Sequence, residues 1–224
     1  MVKNIKPNFS RAYSKANEVL VKSHVITEFP FSTIDVVKEL SEITLFTYGD
    51  AKKWGVDIRD FGSDSATIFE YGSRQIIFYN DNKPKSHINF SILHEFGHPV
   101  NNHDFSFIND ETYGRYEIET NFFAAQILMP EQILRECISR GQCITTDFLI
   151  EHFGVSEIAA KKRIETLART AGEWRPKHEK EFDDIILYKF RNFIDSICTK
   201  QKITYSFEDE YDLQCERESW IHSY

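Results

Sequence analysis

The sequence predicts an α+β fold in which helices pack on a small sheet and a further helical part follows residue 130. Three observations carry this expectation. The 224 residues are 41% hydrophobic and 28% charged, an ordinary globular balance that can bury a core. Apolar residues recur at helical spacing in several blocks, most of them ending at a proline or a polar turn. Strand-like sequence is confined to residues 43–79.

Taken in order, Ala12, Tyr13, Ala16, Val19 and Leu20 place a helix over residues 10–24, and after Pro30 a second helix covers residues 32–40 with Ser32 as its N-cap. Residues 43–48 read as a strand, and 66–69 and 74–79 as two strands of a hairpin across the turn 70–73. Ile88, Ile92, Leu93 and Phe96 make a helical stripe over 86–98, where Pro99 should stop it. A third helical block spans 115–129 and closes at Pro130. Residues 145–167 have helix-turn-helix spacing, with Gly154 in the turn and Ser156 capping the second helix. A helical run follows over 182–197, and the acidic, aromatic tail from Ser206 onward has no assignment.

Charge and cysteine content narrow the function. Lys and Arg number 27 against 35 Asp and Glu, a net charge of −8 that disfavours non-specific binding to nucleic acid. Cys137, Cys143, Cys198 and Cys215 lack CxxC spacing and read as reduced thiols of a cytoplasmic protein. The first residues show no signal-peptide pattern, and no run of 18 apolar residues occurs, so neither secretion nor a membrane span is expected.

The sharpest local signal is His94-Glu95-Phe96-Gly97-His98, which lies on a segment read independently as helix. Residues four apart share a helix face, so both imidazoles can meet one ion with Glu95 beside them, an arrangement that suits a zinc hydrolase. Gly97 inside a helix costs about 1 kcal/mol relative to Ala and so points to close packing. The plainer reading is two ordinary helix histidines.

A catalytic zinc takes three protein ligands and keeps a fourth position open for water. A third histidine in the extended HExxHxxGxxH pattern would stand at position 104, but Asp104 is there, Asn101 replaces the turn glycine and His103 is out of register. Two carboxylates remain. Asp104 could itself ligate, with Asn101 tolerating a left-handed turn. Alternatively Glu117, on the following helix, could bind the metal while Asn121, one turn on, orients a ligand from behind. Glu119 lies about 200° round the helix from Glu117, so both cannot easily reach one ion, and it reads as a solvent-facing or supporting carboxylate. A donor to a developing oxyanion is expected among Tyr113, Tyr116, His103 and loop amides, a choice that only geometry makes.

His94-Glu-Phe-Gly-His98 followed by Glu117-Ile-Glu-Thr-Asn-Phe-Phe-Ala-Ala-Gln-Ile-Leu-Met-Pro130 resembles the ImmA/IrrE family of zinc metallopeptidases, whose pattern joins a HELGH-type helix to an E-x-E-A-N-x-F-A-A-x-L-L-M-P helix. The resemblance covers residues 10–170. It implies a zincin-like catalytic domain and a gluzincin-like zinc site, with His94, His98 and Glu117 as ligands and Glu95 as general base, in proteins that cleave a partner transcriptional repressor. Thr120 stands for the usual Ala, Phe96 for Leu, and Pro99-Val-Asn-Asn102 for an apolar continuation with a trailing His, changes that spare every implied ligand. Some members carry a C-terminal sensor domain, for which the residues after 173 are too few.

The expected organisation is a metallopeptidase domain over 1–130, a helix-turn-helix-like segment over 131–172 and a C-terminal extension with its tail over 173–224. Lys161-Lys-Arg163 would suit phosphate contacts if the second helix of that segment entered a groove, though the acidic surroundings argue against DNA. The plainer alternative is that Phe148, Leu149, Phe153, Val155, Ile158, Ile164 and Leu167 pack the segment on the core, or that it docks a repressor. The leading expectation is thus a Zn2+-dependent peptidase acting on a specific protein partner, a repressor. Its rival is a non-catalytic regulator or toxin-like protein that binds DNA or a repressor.

Overall fold

The computed structural model describes residues 6–72, 74–105, 109–170 and 180–198. Asn8 opens the first helix, α1 (Phe9–Lys22), by accepting from the Arg11 amide, and Ser32 does the same for α2 (Thr33–Leu40) through the Asp35 amide. Strand β1 (Thr44–Thr47) ends earlier than the alternation suggests. Thr47 and Asp50 form a reciprocal capping box that starts a short helix, α3 (Tyr48–Lys53), where the sequence reading carried the strand to residue 48. A 3-10 turn (Ile58–Phe61) then leads to β2 (Ala66–Tyr71) and β3 (Arg74–Tyr79), the expected antiparallel hairpin.

The sheet has the order β1-β3-β2, with β1 parallel to the central β3, so β2 is left as an edge strand. Successive side chains of a strand point to opposite faces, and both faces of β3 are used. Ile77 enters the main core under the helices, whereas Phe78 joins a smaller cluster with Tyr48, Ala51 and Phe61 on the other side.

Of two longer helices, α4 (Lys85–Val100) packs on β2 and β3, and α5 (Asp110–Leu128) packs on α4, with α1 laid along α5. Their shared core contains Ala12, Ala16 and Leu20 of α1, Ile92, Leu93 and Phe96 of α4, and Phe123 and Ile127 of α5. Burying each larger side chain contributes about 1.5–3 kcal/mol. Helix α4 does not stop at His98 as the sequence suggested, and Pro99 lies inside its last turn. There it forfeits one backbone bond, to the Glu95 carbonyl, while the Asn101 amide and side chain both donate to the Gly97 carbonyl and close the helix.

Pro130 ends α5 and opens α6 (Glu131–Ser139), a helix the sequence reading did not mark. The first amides of a helix have no intrahelical acceptor, so proline is tolerated there. Ser156 caps α8 (Glu157–Arg169) as expected, and Thr145 caps α7 (Thr146–Phe153). Gly154 between them has φ +65°, and a Cβ there would stand 2.8 Å from a Pro30 carbon, so the turn excludes larger residues on two counts. The run expected over 182–197 is two helices, α9 (Asp183–Lys189) and α10 (Arg191–Ile197), meeting at Phe190. Phe190 and Phe193 lie with Phe153 around Phe29, at ring centroids 5.1–5.2 Å from it, which ties the last helices to the segment before α2.

Of the Lys161-Lys-Arg163 run, Arg163 is 3% exposed and donates to Gln126 Oε1 at 2.5 Å, while Lys161 pairs with Glu157. The run therefore does not present three cations on one surface. Ile158, expected in the packing face, is exposed. Cys137 and Cys198 are buried and Cys143 is exposed. Cys215 and the tail from Ser206 fall outside the described residues. Among the described residues, no helix is long and apolar enough to cross a membrane.

Candidate metal centre

Helices α4 and α5 pack tightly at Gly97, where a Cβ would stand 2.9 Å from a Phe123 ring carbon and 3.1 Å from the Thr120 methyl. Gly97→Ala tests that contact. Alanine gains about 1 kcal/mol as a helix former, but overpacking a filled core costs about 1–3 kcal/mol. The expected net effect is a lower melting temperature, measured by circular dichroism; a higher one would mean that α5 yields freely.

The close packing brings Glu117 of α5 over the two histidines of α4. His94 Nε2 is 3.3 Å from Glu117 Oε2 and His98 Nε2 is 3.5 Å from Glu117 Oε1. Two ligand atoms each roughly 2.0–2.2 Å from one tetrahedral ion stand about 3.4 Å apart, so these separations fit a shared metal. Among the described residues, His94, His98 and Glu117 form the group whose ligand atoms could hold an ion. Asp104 lies on the wall of the same cleft but is not part of that group. The left-handed residue of the loop is Asn102 (φ 54°), while Asn101 caps the helix.

Charge reinforces the geometry. Burial pushes the Glu117 carboxyl up, yet hydrogen bonds and attraction from both histidines outweigh it and hold the group well below the usual carboxylate range. Burial likewise opposes a charge on His94, but Glu117 and Glu95 lift its pKa above the ordinary value. The site thus favours a positive charge between these side chains, which a divalent cation would supply. Asn121 Oδ1 lies 3.2 Å from His94 Nδ1, so it can accept that proton and leave Nε2 toward Glu117. Glu95 points into the cleft beside the group, where burial raises its pKa against the pull of the two histidines.

The cleft has a volume of about 890 Å³. Edge strand β2 forms one side through Thr67, Ile68 and Phe69, and the Ile68 amide faces the Glu95 carboxylate. Tyr113 also lines the cleft and faces Glu117. Of the other oxyanion donors considered, His103 has both ring nitrogens in contact with protein groups and Tyr116 is stacked on its face.

Residues 47–165 match the IrrE N-terminal-like domain, a family of peptidases. The chain belongs to that family. The matched stretch runs from the end of β1 into α8 and contains His94, His98 and Glu117. No curated protein sequence matches the chain. Membership of the IrrE N-terminal-like family supports a metallopeptidase-type function on a protein substrate, and the three grouped side chains could hold its metal.

In this member of the IrrE N-terminal-like family Glu119 is 1% exposed and contacts His103, so of its two readings, solvent-facing or supporting, the structure excludes the first. What the sequence did not reveal is that His103 stands between it and His98. A signal for its burial was present, because Glu119 precedes Phe123 and Gln126 at i+4 and i+7 on one helix face.

Proposed function

We propose that the chain is a zinc-dependent metallopeptidase that cuts a peptide bond in a specific protein partner, a transcriptional repressor, in the cytoplasm. The observation that carries the reading is the Glu117 carboxylate, which completes a tetrahedral edge with each histidine of the His94-to-His98 motif, next to Glu95 in an open cleft. His94, His98 and Glu117 would be the ligands and Glu95 the general base. Zinc held there would acidify a water toward neutral pH and polarise a scissile carbonyl.

The remaining steps belong to this chain's own residues. Glu95 accepts the proton of the attacking water and returns it to the departing amine. Asn121 keeps the His94 ring in place. The outer edge of β2, next to the Ile68 amide that faces Glu95, offers backbone groups along which an extended peptide can lie. Tyr113, which lines the cleft and faces Glu117, would be the donor to the carbonyl oxygen as charge develops on it.

The repressor substrate and the zinc identity are supported by the sequence resemblance to the ImmA/IrrE peptidases. The test is cleavage of a repressor encoded beside this chain. Purified protein with one zinc is expected to cut it, a chelator to stop the reaction and added zinc to restore it. Firm binding of the repressor by zinc-loaded protein without any cleavage would favour the regulator reading instead.

A further inference from the structure

Behind His98, a line of buried polar groups leads from the cleft to the start of α1. His98 and His103 face each other through Nδ1 atoms 3.0 Å apart. The other ring nitrogen of His103, Nε2, lies 3.1 Å from Glu119 Oε2. That oxygen also accepts from Arg11 Nη2 at 2.7 Å, and Glu119 Oε1 accepts from the Asn8 amide at 2.8 Å. The side chains of His103 and Glu119 are 0% and 1% exposed, and Tyr116 covers the His103 ring at 4.0 Å between centroids with 5° between the planes.

Once His98 binds a metal through Nε2, the protons along this line can be arranged in one way. Glu119 meets donors at both oxygens, so His103 carries its hydrogen on Nε2 and donates it. A second hydrogen on His103 Nδ1 would collide with the one that His98 must then carry on its own Nδ1. His103 Nδ1 is therefore the acceptor, and His98 Nδ1–H the donor.

We propose that His103 and Glu119, anchored by Asn8 and Arg11, are positioning residues of the metal centre that hold His98 in the tautomer presenting a bare Nε2 toward Glu117. The inference rests on the zinc reading above. Metal-ligating histidines commonly donate their second N–H to a carboxylate or carbonyl. Here a second histidine is interposed, and the carboxylate acts across two hydrogen bonds. The anchor is α1, which lies outside the stretch matched to the IrrE N-terminal-like domain.

Two measurements test the proposal. Long-range 1H–15N correlation spectra of the imidazoles in zinc-loaded wild-type protein should show His98 protonated at Nδ1 and His103 at Nε2, a result that needs no variant to fold. Glu119→Gln keeps the shape but sets an amide donor either against the Asn8 amide or against Arg11 and His103. Its zinc Kd, measured by chelator competition, should rise about 10–100-fold while the helical circular dichroism spectrum is kept. Zinc bound by wild type with the His103 hydrogen on Nδ1, or bound equally tightly by Glu119→Gln, overturns the positioning role alone. Failure of wild type to bind zinc overturns the zinc reading, and this inference with it.

Discussion

Glu95→Gln is expected to lower the rate of peptide hydrolysis by about 10²–10⁴-fold while leaving the metal in place. The amide has the size of the carboxylate and can still accept from the Ile68 amide, so the wall of the cleft should be unchanged. It cannot take up a proton from water, and a general base is what the proposed reaction asks of this residue. Glu95 is not one of the three grouped ligand residues, so zinc content should stay equal to that of wild type. Partner binding should persist as well, which makes the variant a means of capturing the uncut substrate. Hydrolysis by Glu95→Gln at the wild-type rate would remove Glu95 from the mechanism.

The second large effect is expected at Glu117. Glu117→Ala removes the side chain that contacts both histidines, leaving two ligands where a catalytic zinc takes three. Affinity should fall by more than the roughly 10–100-fold typical of losing a supporting partner, so the purified variant should carry almost no zinc. Asp104→Ala is the matched control, because Asp104 lines the same cleft without joining the ligand group. It should retain one zinc per chain. Loss of zinc from Asp104→Ala together with retention in Glu117→Ala would reverse the ligand assignment.

The sequence is most legible where the signal is local. The i, i+4 spacing of His94 and His98 and the one-turn offset between Glu117 and Asn121 bring these groups to one place because α4 and α5 are regular helices packed face to face. The hairpin was readable for the same reason, since β2 and β3 are adjacent in the chain. The misses have identifiable causes. A reciprocal cap at Thr47 and Asp50 overrode β-like sequence at Tyr48, and Pro99 was tolerated because it costs α4 a single bond near its end. Phe190 divides a run whose apolar spacing alone suggests one helix. Arg163 looked like a surface cation until Gln126, 37 positions earlier, supplied an acceptor inside the core. His103 and Glu119 were the least accessible to sequence reasoning, because their burial depends on a helix from the far end of the domain.

That dependence bears on how the chain folds. Glu119 is separated from Asn8 by 111 positions and from Arg11 by 108, so these contacts close a very long loop. The entropy of closing a loop of that span must be overcome before the contact rewards it, which favours local structure forming first. During synthesis α1 leaves the ribosome first and waits with its end of the line empty until α5 follows. A nascent chain that already displays both motif histidines still lacks the brace behind His98. The support behind His98 is complete only once α1 and α5 have met.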